Sequence, residues 1–451
     1  MTTALAKPDQ DLISVREDLR SLFRDAIQPD PAKALIGPEA EKCGVLADGR
    51  PLPFEGGVTR VLDALEKLGW IAELEKPGGP RIALKKGAAS VTLEPGGQLE
   101  LSGAAAKDVH AVANEQALHL EEIRPISEEI GVRFLGIGFH PFASLDQFSH
   151  VPKARYVVMR DYLKTRGAHG LDMMHRTCTV QGNYDFSSEE DAMRKVRLGM
   201  KLAPLCAAMF ANSPFYEGKP HGGVSFRAKV WLDVDPDRSG LIPSIWADDS
   251  TFDDYIEWAL DVPMFLFKRN TEVIANTGQT FRSFWKSGFA GHAATQADWM
   301  LHVNTVFPEV RLKRTIEIRS ADSQRKDLMP AVPALYAGLY YDERTLDEAE
   351  ALARDWTYDE IADLRTRVWR DGLRTEFRGK PLAKVAERVV ELGVQGLRRR
   401  AVMNANGDDE SVHLAPLVAL VSQGLTPADD LLAKTKDAKD LRAAIVRETA
   451  L

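Results

Sequence analysis

Glutamates recur at alternate positions inside stretches that otherwise read as β-strand. Glu39 and Glu41 stand in IGPEAEKCGV (36–45), and side chains two apart on a strand share one face. Gln181, Asn183 and Asp185 repeat the spacing, as do Glu317 and Arg319. Glu94 and Glu100 flank Pro95-Gly96-Gly97, a strong turn signal, so a hairpin brings them toward one another. The intervening Ala40 and Ile318 point the other way, into a core. A chain with this pattern has to build a sheet with one apolar and one acidic face. Crowded carboxylates repel, and burying them is costly unless cations neutralise them. Hard divalent cations do this with oxygen ligands, and Mg²⁺ commonly takes few carboxylates plus substrate phosphates. The alternation therefore points to a sheet face that holds Mg²⁺ and a nucleoside triphosphate. A solvated strand face is the competing reading.

Arginines form a second set. Arg155 and Arg160 fall on a helix expected over 153–165, and Arg176 opens a β-rich stretch over 176–185. Arg227 sits mid-strand in an expected strand over 223–232, and Arg314 and Arg319 lie on another over 311–319. The planar guanidinium fork suits carboxylates and phosphates.

The remaining pattern fixes the fold class. Helical spacing covers 11–29, 59–70, 105–129 and 187–209, the last capped by Ser187 or Ser188. Short β-like stretches occupy 81–85, 90–94, 98–102 and 131–139. From about residue 325 the text is helical. The order lacks a βαβαβ rhythm and suits an α+β fold with a mostly antiparallel sheet. We expect a catalytic core over 1–325 and a helical C-terminal region over 326–451 packed on it.

Several classes are excluded. No GxxxxGK[ST] occurs, since Gly218-Lys219 and Gly379-Lys380 are each followed by proline. Neither HExxH nor GxSxG is present. The 58 basic and 66 acidic residues give a net charge of −8, opposite in sign to a nucleic-acid footprint. No run approaches the ~18–20 apolar residues of a membrane span. Three widely spaced cysteines, Cys43, Cys178 and Cys206, read as reduced thiols. These features set the expectation of a cytoplasmic enzyme with no nucleic-acid or membrane partner, monomeric or homodimeric.

Nine segments together carry a resemblance: IGPEAEKCG (36–44), FEGG (54–57), SVTLEPGGQLELSGA (90–104), KARYVVMRDYL (153–163), GLDMMHRTCTVQGNYDFSSEEDAMRK (170–195), FANSPFYEGKPHGG (210–223), ALDVP (259–263), FPEVRLKRTIEIRSAD (307–322) and LYYD (339–342). They resemble the plant and proteobacterial type of glutamate–cysteine ligase, from about residue 12 to residue 400. The resemblance implies a glutamine-synthetase-like carboxylate–amine ligase fold, with an antiparallel sheet forming a funnel over the active site. It implies ATP as co-substrate, Mg²⁺ as cofactor, and L-glutamate and L-cysteine as substrates, in the first step of glutathione synthesis.

The resemblance also assigns roles. Glu39, Glu41, Glu94, Glu100 and Glu317 correspond to the magnesium-binding carboxylates, with Gln181 beside them. Arg155 and Arg227 look like the glutamate-binding arginines, and Arg319 would face the phosphates. Thr177, Thr179, Trp231 and Phe265 are candidate pocket walls. Phe265 departs from the plant-type pattern, which resembles ALDVPMYF with tyrosine there. The regulatory cysteine of plant-type members lies in a segment resembling CTGMTF; here the text is Asn276-Thr277-Gly278-Gln279-Thr280-Phe281, so a hairpin disulfide switch is not expected. The competing readings are a related carboxylate–amine ligase with a different amine acceptor and a non-catalytic nucleotide-binding protein.

Overall fold

The structure, a computed structural model, describes residues 11–451. The first ten residues, which open the expected 1–325 region, lie outside the described residues. Nine strands build one antiparallel sheet: β1 (Ile36–Leu46), β2 (Ile71–Leu74), β3 (Arg81–Lys86), β4 (Ala89–Leu93), β5 (Leu99–Ser102), β6 (Val132–Leu135), β7 (Val180–Tyr184), β8 (Val310–Leu312) and β9 (Ile316–Ile318). Their order is β8-β9-β7-β1-β5-β4-β3-β2, with β6 pairing the far end of β1. β1 holds the sheet together: β7 lies on one edge, β5 on the other, and β6 continues over Cys43–Leu46.

The register explains the two faces. Ala40 pairs with Leu101 on one side and Val180 on the other, and Leu101 pairs with Val91. This apolar row is buried. The helix Val109–Ile130 covers one end of it through Leu120, Ile123 and Ile126. The helices Glu189–Met209 and Ala331–Tyr340 cover the rest. Ser188 caps the first of these two, its Oγ accepting from the Asp191 backbone N–H at 3.0 Å. Every residue of Ala331–Tyr340 is buried, which an all-apolar helix requires. The C-terminal helices thus share one continuous core with the sheet's back face. No helix among the described residues is long and apolar enough to cross a membrane.

Three sequence readings change. The stretch 223–232 is not a strand. Ser225 Oγ accepts from Ala228 N–H and starts a helical turn, Phe226–Val230, followed by 3₁₀ residues Trp231–Asp233. Arg176 ends the helix Gly170–Arg176 instead of opening a strand. The stretch 311–319 is two strands, because Lys313 N–H bonds Thr315 C=O at 2.9 Å and the chain turns back. That turn leaves Arg314 exposed and sets Arg311 opposite Glu317.

Two C-terminal helices approach backbone to backbone. A Cβ on Gly396 of the helix Ala383–Arg400 would overlap the carbonyl oxygen of Gly338. Gly396→Ala should cost about 1–3 kcal/mol of stability, since a packed interface must open to admit the methyl. Urea unfolding that shows an unchanged midpoint would contradict this packing.

Candidate active site

The other sheet face is polar. Across it, Thr92 pairs with Glu100 and Glu100 with Glu41; Glu39 pairs with Ser102 and Gln181; and Asn183 pairs with Glu317, which pairs with Arg311. The period-two spacing places all of these side chains on one side. Glu39, Glu41, Glu100, Gln181, Arg311 and Glu317 line a cavity of about 160 Å³ together with Glu94, Arg155, Lys313 and Arg319. A second cavity of about 80 Å³ shares Glu41, Glu94, Gln181 and Arg319 with the first. It adds Thr177, Thr179, Arg227 and Trp231.

The five glutamates differ in how they are neutralised. Glu317 is fully buried and grips three cations: Arg311 Nη2 at 2.7 Å, Arg319 Nη1 at 2.8 Å, and Lys313. Burial raises its carboxyl, but Arg311, Lys313 and Arg319 outweigh burial and hold it well below the usual range. Of the others, Glu100 is held below the usual range against burial, and Glu39, Glu41 and Glu94 lack that support. Burial, then Glu94 and Glu100, push Glu41 well up, against Arg227 and the Thr179 N–H at 3.0 Å. Glu39 is raised by burial, against Lys313 at 3.8 Å, with Glu317 and Glu100 adding to the rise. Asn183 Nδ2 donates to Glu39 at 3.0 Å. Burial and Glu100 raise Glu94, against Arg155 and Lys153. Glu100 accepts from Thr92 Oγ1 at 2.6 Å and Ser102 Oγ at 2.7 Å.

This donor set can be tested against Mg²⁺. Among the described residues no three His, Cys, Asp or Glu side chains converge to hold one ion. Hard oxygens with too little positive charge around them, spread over one cavity wall, do fit ions that take one or two carboxylates each and complete their shells with phosphate and water. Glu39, Glu41 and Glu94 satisfy that description, and Glu100 lines the same wall with its carboxyl lowered. Glu317 would have to exchange one of its three cations to join them.

The arginines are placed unequally. Arg155 begins the helix Ala154–Leu163, donates to Tyr156 OH at 3.1 Å and stacks over that ring at 4.9 Å. Tyr156 OH and Lys153 Nζ both donate to Leu93 C=O, at 2.7 and 2.9 Å, and tie this helix to the residue before Glu94. Burial and Arg155 bring the Lys153 ammonium down to about 7. Arg227 donates to Ser320 C=O at 3.2 Å and Arg319 C=O at 2.7 Å, and its Nε is buried without a partner. Arg319 bonds Gln181 Oε1 at 3.2 Å. The hydroxyls of Thr177 and Thr179 bond the carbonyls of Met173 and Ala321, so these threonines present little free polarity. Phe265 lines neither cavity. It is buried behind Phe307, with ring centroids 6.3 Å apart, and Arg238 stacks on it at 3.7 Å. Arg311, Lys313 and Tyr156 line the first cavity and were not singled out from sequence. The basic residues four and six positions before Glu317 were the available signal, hidden by the unread turn.

A family model described as glutamate-cysteine ligase family 2 (GCS2) matches residues 35–448. The chain belongs to this family. It is similar to glutamate–cysteine ligase B, chloroplastic, of Oryza sativa subsp. japonica, at 42% identity over 422 residues, covering 92% of this chain and 83% of the relative. The chloroplastic enzyme of Medicago truncatula is 43% identical over 402 residues, covering 88% and 77%. A solved glutamate–cysteine ligase from Francisella tularensis in complex with AMP superposes with a TM-score of 0.57 at 12% identity, covering 92% of this chain and 87% of that one; it shares the fold. The α+β ligase-type fold expected from sequence is thus the observed one. The expected cytoplasmic location is overturned by these relatives, which are chloroplastic proteins. The lack of an apolar run, on which that expectation rests, holds equally for a plastid protein.

Glu41 gives a pH-dependent prediction. Its folded carboxyl titrates above the unfolded value, so ionising it opposes folding as pH rises through the unfolded range. Glu41→Gln should therefore match wild-type stability at acid pH and exceed it near pH 8, measured as metal-free melting temperature against pH. A variant less stable than wild type at pH 8 would mean that the charge is already compensated.

The thiols give another. Cys43, Cys178 and Cys206 are all buried and free, and no cysteine stands in 276–281. Turnover should be the same, within about twofold, with and without dithiothreitol, because buried thiols in apolar surroundings are inert. A large reversible loss on reduction would contradict it.

Proposed function

We propose that this protein joins the side-chain carboxylate of L-glutamate to the amine of L-cysteine at the expense of ATP, giving γ-glutamylcysteine, ADP and phosphate. The observation that carries the reading is one cavity wall that combines three under-neutralised carboxylates, Glu39, Glu41 and Glu94, with Glu100 and a cluster of cations around Glu317. Membership of the glutamate–cysteine ligase family names the substrates. The AMP bound to the Francisella tularensis neighbour is in keeping with a nucleotide.

Oxide is a poor leaving group, so a carboxylate must be activated before an amine can displace it. In this reading the glutamate γ-carboxylate attacks the terminal phosphorus of ATP, and ADP leaves. The cysteine nitrogen then attacks the acyl carbon of γ-glutamyl phosphate, phosphate departs, and the nitrogen loses a proton. Phosphoryl transfer is achieved mainly by positioning and charge stabilisation. Glu39, Glu41, Glu94 and Glu100, with Glu317 by exchange, would hold Mg²⁺, which supplies Lewis-acid neutralisation of the phosphate oxygens. Arg319 steadies the transferred group. Arg155 and Arg227 orient glutamate by its carboxylates. Trp231 and Phe307 screen the acyl phosphate from water, with Thr177, Thr179 and Gln181 lining the same wall. Phe265 acts behind that wall. Residues 11–325 supply every one of these side chains, and 326–451 serve as the helical support.

The test is product mass spectrometry with ATP, Mg²⁺, glutamate and a panel of amines. γ-Glutamylcysteine should form, with ADP equal to product. Glu39→Gln should lower turnover at least about a hundredfold while the protein stays folded, a loss typical of removing transition-state charge stabilisation. A preferred amine other than cysteine would support the related-ligase reading, and no ADP formation would support a non-catalytic one.

A further inference from the structure

Asp322 is fully buried and lines neither cavity, yet it is wired to Arg227 twice. Its Oδ2 accepts from the Asn212 backbone N–H at 2.8 Å and from Ser213 Oγ at 2.6 Å. Ser225 Oγ lies 3.0 Å from both of its oxygens, and Arg227 Nη1 lies 3.8 Å from Oδ1. Each serine passes the contact on. Ser213 Oγ accepts from the Arg227 N–H at 3.2 Å, and Ser225 Oγ accepts from the Ala228 N–H at 3.0 Å. These are among the first N–H groups of the helical turn that carries Arg227.

The chemistry of the hydroxyl makes this directional. A serine has one proton to give and two lone pairs to receive with. A buried carboxylate is the strongest acceptor at hand and takes both serine protons. The serine lone pairs are thereby turned to the helix start. The guanidinium is fixed at its other end by the Arg319 and Ser320 carbonyls, which belong to the segment leading into Asp322. Each terminal nitrogen thus spends one N–H on a carbonyl, and Nε is buried without a partner.

We propose that Asp322 is a positioning residue: through Ser213 and Ser225 it sets the helical turn of Arg227, so that the guanidinium lining the second cavity meets the glutamate carboxylate at a fixed place. This rests on the reading above that Arg227 binds glutamate. The carboxylate touches no substrate and no phosphate, so its loss should register in one substrate only.

The test is steady-state kinetics of D322N, the double variant S213A/S225A and R227K, varying glutamate, cysteine and ATP in turn. D322N should raise KM for glutamate about tenfold while KM for ATP stays within about twofold, the signature of lost binding for one ligand. S213A/S225A should show the same split, smaller in size, and it carries the test if D322N fails to fold. An unchanged glutamate KM in the folded variants overturns the proposal, as does a parallel rise for all three substrates. R227K separates the two claims. If it leaves the glutamate KM alone, the binding role of Arg227 fails and takes the positioning role with it. If it raises that KM and the Asp322 and serine variants do not, the positioning role alone is lost.

Discussion

Electrostatic repulsion between carboxylates on one face of β1 is the constraint to which the rest of the molecule answers. Glu39 and Glu41 are forced onto the same side by strand geometry, and their neighbours across the ladder are Glu100 and Gln181. Burial first, and then the neighbouring carboxylates, raise Glu41 and Glu94 beyond what the nearby cations offset. At Glu317 three cations reverse the balance. The same wall therefore holds a region short of positive charge beside a region where it is concentrated. Under the proposed function, a metal-bound triphosphate would have one region for its cations and the other for its phosphate oxygens.

Much of this was legible in the residues because it is local. A period of two is written in the chain wherever a strand is, so the shared face of Glu39 and Glu41 needed no tertiary information. The Pro-Gly-Gly turn did the same for β4 and β5: Glu94 N–H bonds Gln98 C=O, and Gly97 N–H returns to Glu94 C=O. The misreadings occur where capping and turns override alternation. Val224, Phe226, Ala228 and Val230 alternate like a strand, but Ser225 caps a helical turn there. Between Lys313 and Thr315 the chain reverses without glycine or proline to announce it, so Arg311 and Lys313 escaped notice although they neutralise Glu317.

Phe265 shows the limit of carrying a role across by resemblance. The resemblance sets it where the plant-type pattern has tyrosine, yet its ring lies under Phe307 and is covered by Arg238. A hydroxyl lost at that depth leaves the cavity lining unchanged. The wall that does reach the cavity is built from Met159, Met173, Met174 and Trp231, which come from three separate helical segments.

The sheet's strand order has one more outcome, for synthesis. β1 emerges early, but its neighbour β7 lies some 140 residues downstream, and β9, with Glu317 and Arg319, is about as far again. On the ribosome a chain that has reached residue 200 already owns its acidic strand and hairpin, and still lacks every cation that clamps Glu317. Such a nascent chain cannot complete the wall that holds Glu317. The cavity therefore closes only late in translation, after the last strand of the sheet has left the ribosome.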